Sequence, residues 1–291
     1  MKNISTYISE KLKISSNLRK HANKANDKEQ LIDIIYDTLE DDGIDADLND
    51  IDISEITDMS SLFDSKRMIR KYTQTIKNLD MSDWDVSNVT NMDEMFCGCK
   101  NFNGNIGNWD VSGVKSMYNM FYNCKSFKQD LSNWDVSNVI NMCFMFERCN
   151  NFNCDLSDWN VSNVKYMEGT FAGCAKFNGN ISTWDVSSVV KMTEMFAGCT
   201  HFNQDISKWN TSNVRETAYM FDGCEHFNQD ISNWDVSKID NMSGMFRKCS
   251  KFNQDLSDWK VSSKTETRYM FENCISLSKL PDWYKESILP W

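Results

Sequence analysis

Apolar and polar positions along this chain recur in a fixed order. Trp134 and Val136 alternate with Asp135 and Ser137, a period of two that predicts a short strand with Trp and Val inward. Val139, Met142, Met145 and Phe146 then follow at spacings of three, three and one, the apolar face of a short helix or 3₁₀ turn. Cys149 and Phe152 continue inward at a spacing of three. Asn153 and Asp155 predict the turn that leads into the next strand.

The order repeats. Tryptophans stand at Trp84, Trp109, Trp134, Trp159, Trp184, Trp209, Trp234 and Trp259, each 25 residues from the last. Cysteines keep the same step from Cys99 to Cys274, as do phenylalanines from Phe96 to Phe271 and from Phe102 to Phe252. Each unit can bury its apolar face only against its neighbours, so one unit alone should not fold. Strands at the same place in successive units predict a parallel sheet with ~4.8 Å between strands. The Trp-Asp dipeptide suggests a WD40 blade, but that needs ~40–45 residues, and tetratricopeptide and ankyrin units need ~34 and ~33. The observed period of 25 falls in the leucine-rich-repeat window of ~20–29. The predicted fold is an α/β repeat solenoid: a leucine-rich-repeat-like right-handed horseshoe, with a parallel sheet on one side, short helical or 3₁₀ turns on the other, and a cap at each end.

Residues 130–154, DLSNWDVSNVINMCFMFERCNNFNC, resemble a near-consensus unit of the BspA-like leucine-rich-repeat family, in its 25-residue mycoplasma type (DUF285). The resemblance covers about residues 48–283. It implies an interaction protein at a surface or outside the cell, with adhesion as a typical role; relatives also occur in protists and large viruses.

The ends depart from the repeat. Residues 48–63 align with Met81 to Phe96 as a worn first unit, with Ile51 for Trp84, Ile53 for Val86, Phe63 for Phe96, and Ile44 at the second Phe position. Asp27 to Leu39 reads as a helix with Leu31, Ile34, Ile35 and Leu39 on one face and Gly43 as its stop. The chain thus divides into a basic leader (1–25), a helical cap (26–47), the solenoid (48–274) with an insertion at about 64–78, and a C-terminal cap (275–291). The insertion carries Lys66, Arg67, Arg70 and Lys71 and reads as a solvated loop or helix. Trp283, Tyr284, Ile288, Leu289 and Trp291 make an aromatic-rich tail that covers the open end of the core or serves as a docking patch.

Charge narrows the function. The 291 residues carry a net charge of -11, which argues against nucleic-acid binding. Mean hydropathy is -0.55, and no apolar run approaches the ~20 residues of a membrane span. The leader holds six cations against Glu10 alone. It has no apolar core with a cleavage site and no lipobox cysteine, unlike the lipoprotein members of the family. A cytoplasmic or virion-associated location is expected, with surface display only by a route other than the secretory one. The leader reads either as a flexible or self-packing segment or as a tether to a larger assembly.

Candidate chemistry is sparse. The 11 cysteines read as reduced thiols, with the periodic ones buried and Cys97, Cys143 and Cys154 more exposed. Cys199, His201, Cys224 and His226 could be drawn as a zinc site, but their spacing is not a zinc-finger pattern and no metal is expected. Asp85, Asp110, Asp135, Asp185 and Asp235 follow their tryptophans and should point out from the sheet. Stacked carboxylates repel, so this column either accepts local hydrogen bonds, faces a basic partner or binds calcium. Phe144, Tyr219 and Tyr269 share a column on the expected helical side, with Tyr118, Tyr122 and Tyr166 nearby. Thr170, Thr211 and Thr217 are small polar departures at inward positions. No phosphate loop, HExxH or GxSxG occurs, so neither an enzyme nor a cofactor is expected. The functional expectation is a non-catalytic scaffold binding another protein, through the Asp column or the aromatic column. The alternative is a decoration protein anchored to a larger assembly, such as a virion, by its basic leader.

Overall fold

A computed structural model describes residues 23–63, 72 and 76–284 of the chain. The leader up to residue 22, the basic cluster Lys66 to Lys71 and the tail residues Ile288, Leu289 and Trp291 lie outside the described residues.

The first element is α1, Lys28–Asp42. Asp27 caps it, its carboxylate accepting from the Gln30 N–H at 2.8 Å, as an extended acidic residue before a helix should. Gly43 ends it at φ 89°, a conformation that favours glycine, and donates its N–H to the Leu39 carbonyl. Leu31, Ile35 and Leu39 are buried on one face, with Ile34 partly buried beside them. Lys28 ties the helix to the first rung, its ammonium donating to the Ser60 carbonyl at 3.1 Å and pairing with Asp58 at 2.9 Å. The Tyr72 hydroxyl donates to the Glu40 carboxylate, which fastens the insertion to the same helix.

Beyond α1 the chain is a solenoid of stacked rungs. Parallel bridges run in one line from Asp58 through Asn91, Ser116, Asn141, Tyr166, Lys191, Glu216 and Asn241 to Glu266. Along this line backbone N–H groups reach the next rung at every second residue. Met192, Glu194, Phe196 and Gly198 donate to the carbonyls of Glu216, Ala218, Met220 and Asp222 at 2.7–2.9 Å. Within the rung, Met195, Ala197 and Cys199 donate back to Met192, Glu194 and Phe196. The segment is a run of tight turns placed end to end. Such a path needs left-handed residues, and Glu194 (φ 57°) and Gly198 (φ 75°) supply them.

The backbone ladder therefore lies on the Met-Phe segment, where a helical turn was expected. It does not lie on the Trp-Asp-Val-Ser segment, where a strand was expected. Among the described residues there are isolated bridges and no longer strand, and α1 is the only helix. The tryptophans explain the difference. Their rings stack from rung to rung with centroids 6.2–6.3 Å apart, against ~4.8 Å between paired strands. Beside them, indole N–H groups replace backbone donors. Trp184 Nε1 donates to the Leu156 carbonyl of the preceding rung at 2.8 Å, and Trp134, Trp159 and Trp234 do the same to Ile106, Leu131 and Ile206.

The interior is a set of aromatic stacks. Phe196 lies 5.7 Å from Phe171 and Phe221 and 4.1 Å from Phe202 of its own rung. The worn first unit joins them, with Phe63 stacked 5.2 Å from Phe96 and Ile51 and Ile53 buried. At the other end Trp283 takes the next tryptophan place, 6.1 Å from Trp259 and bonded to the Leu256 carbonyl.

Candidate ligand-facing surface

The periodic polar residues are engaged within the fold. Each column cysteine donates its thiol to the Phe carbonyl of the rung before: Cys174 to Phe146 at 2.9 Å, Cys199 to Phe171 and Cys224 to Phe196 at 3.0 Å. Burial pushes these thiols well above the usual range, so they stay protonated donors. None of the eleven cysteines is in a disulfide. Cys143 corrects the sequence reading: it is buried, not exposed, with Sγ 3.4 Å from Glu168, and burial pushes its thiol up to about 12. Cys97 and Cys154 are half-buried.

Asparagines bind rung to rung. Asn178, Asn203 and Asn228 each accept the backbone N–H of the residue one period on, at 2.8–2.9 Å. Inward threonines are satisfied too. Thr170 is fully buried and donates to Met167 and Met142 carbonyls, and Thr211 donates to Asp235.

The Asp column is exposed, and each member closes a local turn. Asp85, Asp110, Asp135, Asp185 and Asp235 accept the N–H of the serine two residues on at 2.9–3.1 Å. Hydrogen bonds from those serines hold the carboxyls of Asp85, Asp135, Asp185 and Asp235 below the usual carboxylate range. His201 and His226 stack 5.5 Å apart on the surface, each with Nδ1 2.8 Å from a carbonyl, Ala175 and Thr200. The thiols of Cys199 and Cys224 point instead to interior carbonyls, so the structure does not gather these four into one site.

The aromatic column sits on the ladder. Phe144, Tyr219 and Tyr269 occupy left-handed positions of the turn run, with φ of 56–57°. Phe144 lies over Gly169 and Tyr219 over Gly244 of the next rung. A Cβ at either glycine would fall 2.2–2.3 Å from a ring carbon. Tyr118 meets Phe144 edge-on at 6.1 Å. Arg247 lies 5.3 Å over Tyr219 while its guanidinium clasps Asp222 at 2.9 and 2.6 Å. Arg148 lies 5.8 Å over Tyr122. Ile140, Tyr166 and Tyr269 remain 39–46% exposed on this face. Large apolar side chains on an ordered backbone, with arginines between them, are the composition of a binding surface. The sequence reading found the aromatics but put them opposite the sheet; it missed Ile140 and the arginines, which only the ladder places beside them.

The sequence matches the family described as Mycoplasma protein of unknown function, DUF285, over residues 34–83, 64–184 and 165–284. Among curated proteins none matches. One solved structure, "Crystal structure of TLR13-ssRNA13 complex", is similar at 11% identity and a TM-score of 0.19, over 76% of this chain and 41% of that one.

Proposed function

The chain belongs to the family described as Mycoplasma protein of unknown function, DUF285, and from that premise we propose that it is a non-catalytic recognition scaffold. Its partner is another macromolecule, a protein, held on the ladder face. The observation that carries this reading is the division of labour among the columns. Residues that repeat are engaged in stacking and hydrogen bonding between rungs. Residues that vary from rung to rung, Tyr118, Ile140, Phe144, Tyr166 and Tyr219 among them, stand together on the backbone ladder. A solenoid offers such a surface along its length, and a few aromatic positions then dominate the binding energy. The Asp column supports the reading less well, because its carboxylates already accept local hydrogen bonds. No helix among the described residues is long and apolar enough to cross a membrane.

The test is site-specific photo-cross-linking in an extract of the organism that makes the protein. A photoreactive phenylalanine at Tyr118 or Tyr166 should yield one cross-linked partner, and the same group at Asp135 or Asp185 should not. Cross-links only at the Asp positions would move the interface and reject the ladder face.

A further inference from the structure

A second column of residues flanks the ladder. Just before the bridge line, one residue per rung bonds directly to its equivalent in the rung before. Lys115, Ile140, Lys165, Val190 and Arg215 donate their N–H groups to the carbonyls of Thr90, Lys115, Ile140, Lys165 and Val190, each at 2.9 Å. Direct backbone bonding makes them a strict column, one side chain above the next. Its order is cation, apolar, cation, apolar, cation, between Thr90 before it and Asp240 after it, which bond to the preceding rung in the same way at 2.8 Å. Lys115, Ile140, Lys165 and Arg215 are exposed and Val190 half-buried. Tyr166, 39% exposed, lies beside Ile140 and widens the apolar part. Among the described residues Lys115 and Lys165 enter no ion pair, and Arg215 reaches Asp240 only at 3.8 Å. A row of three cations, two of them outside any ion pair among the described residues, runs against the net charge of -11 of the whole molecule.

We propose that this stripe docks an acidic amphipathic helix of a partner protein. The proposal rests on the recognition reading above and names its partner's chemistry. The geometry selects a helix. Rungs at ~4.8 Å put Lys115, Lys165 and Arg215 at about 0, 10 and 19 Å along the stripe. An α-helix lying along it advances ~5.4 Å per turn, so one turn faces each rung, and acidic residues on every second turn fall at about 0, 11 and 22 Å. Apolar residues on the turns between then meet Ile140 with Tyr166, and Val190. An extended strand presents same-face side chains every ~6.8 Å, so with the same alternation its acidic residues fall at about 0, 14 and 27 Å, roughly 4 and 8 Å beyond Lys165 and Arg215, where the helix overshoots by only about 1 and 2 Å. Local complementarity acts inside the ~8 Å screening length at physiological salt, where the net negative charge of the rest of the chain is muted.

The probe is a fluorescein-labelled helical peptide with glutamate on every second turn and leucine on the turns between, followed by fluorescence polarisation. It should bind saturably, weaken as salt is raised, and lose about tenfold in affinity with Lys115→Glu plus Lys165→Glu, whose melting curve should match the parent's. Tyr166→Ala should weaken it as well. The idea fails if a scrambled peptide or a proline-broken one binds equally, if no saturable binding is seen, or if the charge reversals change nothing. It also fails if a single-stranded oligonucleotide competes on equal terms, since the stripe would then be a general anion surface. Cross-links at Tyr166 that survive the double charge reversal would keep the ladder face and reject the acidic helix, so the two readings can fall separately.

Discussion

Trp184→Ala is the sharpest single perturbation of the rung architecture. Trp184 is 3% exposed and lies between Trp159 and Trp209, both at 6.3 Å, with Phe171 tilted against it at 6.2 Å. Truncating a buried aromatic to alanine costs ~3–5 kcal/mol. The upper half of that range is expected here, because the backbone ladder on the far side holds the rungs apart and limits collapse of the cavity. The indole N–H adds a second loss, since the Leu156 carbonyl forfeits a 2.8 Å bond whose net worth is ~0.5–1.5 kcal/mol. Trp184→Phe separates the two, keeping most of the stack and losing the donor, and should cost about 1–2 kcal/mol. Together these losses come to ~4.5–6.5 kcal/mol, and at ~2–4 °C per kcal/mol for a chain of this size the alanine variant should melt roughly 9–26 °C lower. Calorimetry alongside far-ultraviolet circular dichroism is the assay, and coincident transitions guard against independent melting of one half of the array. A shift under about 2 °C in the alanine variant would refute the reasoning. Equal shifts for Ala and Phe would show that hydrogen bonding, not stacking, holds the column.

Three further outcomes follow from the same geometry. In the native protein near neutral pH, a thiol reagent should modify Cys97 and Cys154 at most, and all 11 cysteines in denaturant without prior reduction; rapid native labelling of Cys174 or Cys199 would contradict the buried thiol ladder. Serine-bonded aspartates such as Asp85, Asp130 and Asp205 have carboxyls held low in the folded state, so their stabilisation is complete above the ordinary carboxylate value of ~4 and is lost as pH falls through the folded values. The melting temperature should stay level from about pH 7 to 5 and drop below about pH 4, each exposed carboxyl contributing little on its own; a rise on acidification would contradict this. Gly169→Ala should destabilise by ~1–3 kcal/mol, from φ 56° and a Cβ placed 2.2 Å from the Phe144 ring. Phe144→Ala should remove part of that penalty, and a double-mutant cycle with zero coupling would show that the ring does not lie over the glycine.

The number and order of rungs were legible because single residue types mark them: Trp84 to Trp259 and Cys99 to Cys274 keep step without an insertion. Asp27, the Leu31–Ile35–Leu39 face and Gly43 likewise announced α1, since caps and helical spacing are local signals. The side of the rung that carries the ladder was not legible. Apolar spacing of three reads as helix, yet here it comes from consecutive tight turns whose left-handed residues are mostly not glycine: Glu94, Asn119, Phe144, Glu194, Tyr219 and Tyr269 in one column. A trace of the pattern existed in Gly98, Gly173, Gly198 and Gly223, with Asn123 and Asn273 at the same place, all residues that tolerate positive φ. Periodicity alone could not reveal that Cys199 donates a hydrogen bond, because burial of a small side chain and donation from its thiol leave the same mark in sequence. The cation stripe was legible only as a register: Lys115, Lys165 and Arg215 share one repeat position, but its place beside the ladder appears only when the rungs stack.

Residue-resolved amide hydrogen exchange on the central rung tests the placement of the ladder most directly. The N–H groups of Met192, Glu194, Phe196 and Gly198 donate to the next rung, so they should be among the slowest to exchange. That of Ser187 donates only to the exposed Asp185 side chain and should exchange quickly. Slow exchange across Trp184 to Ser187 with fast exchange from Met192 to Gly198 would put the sheet back on the tryptophan segment, and would take the aromatic and cationic columns off the ordered face on which the recognition reading depends.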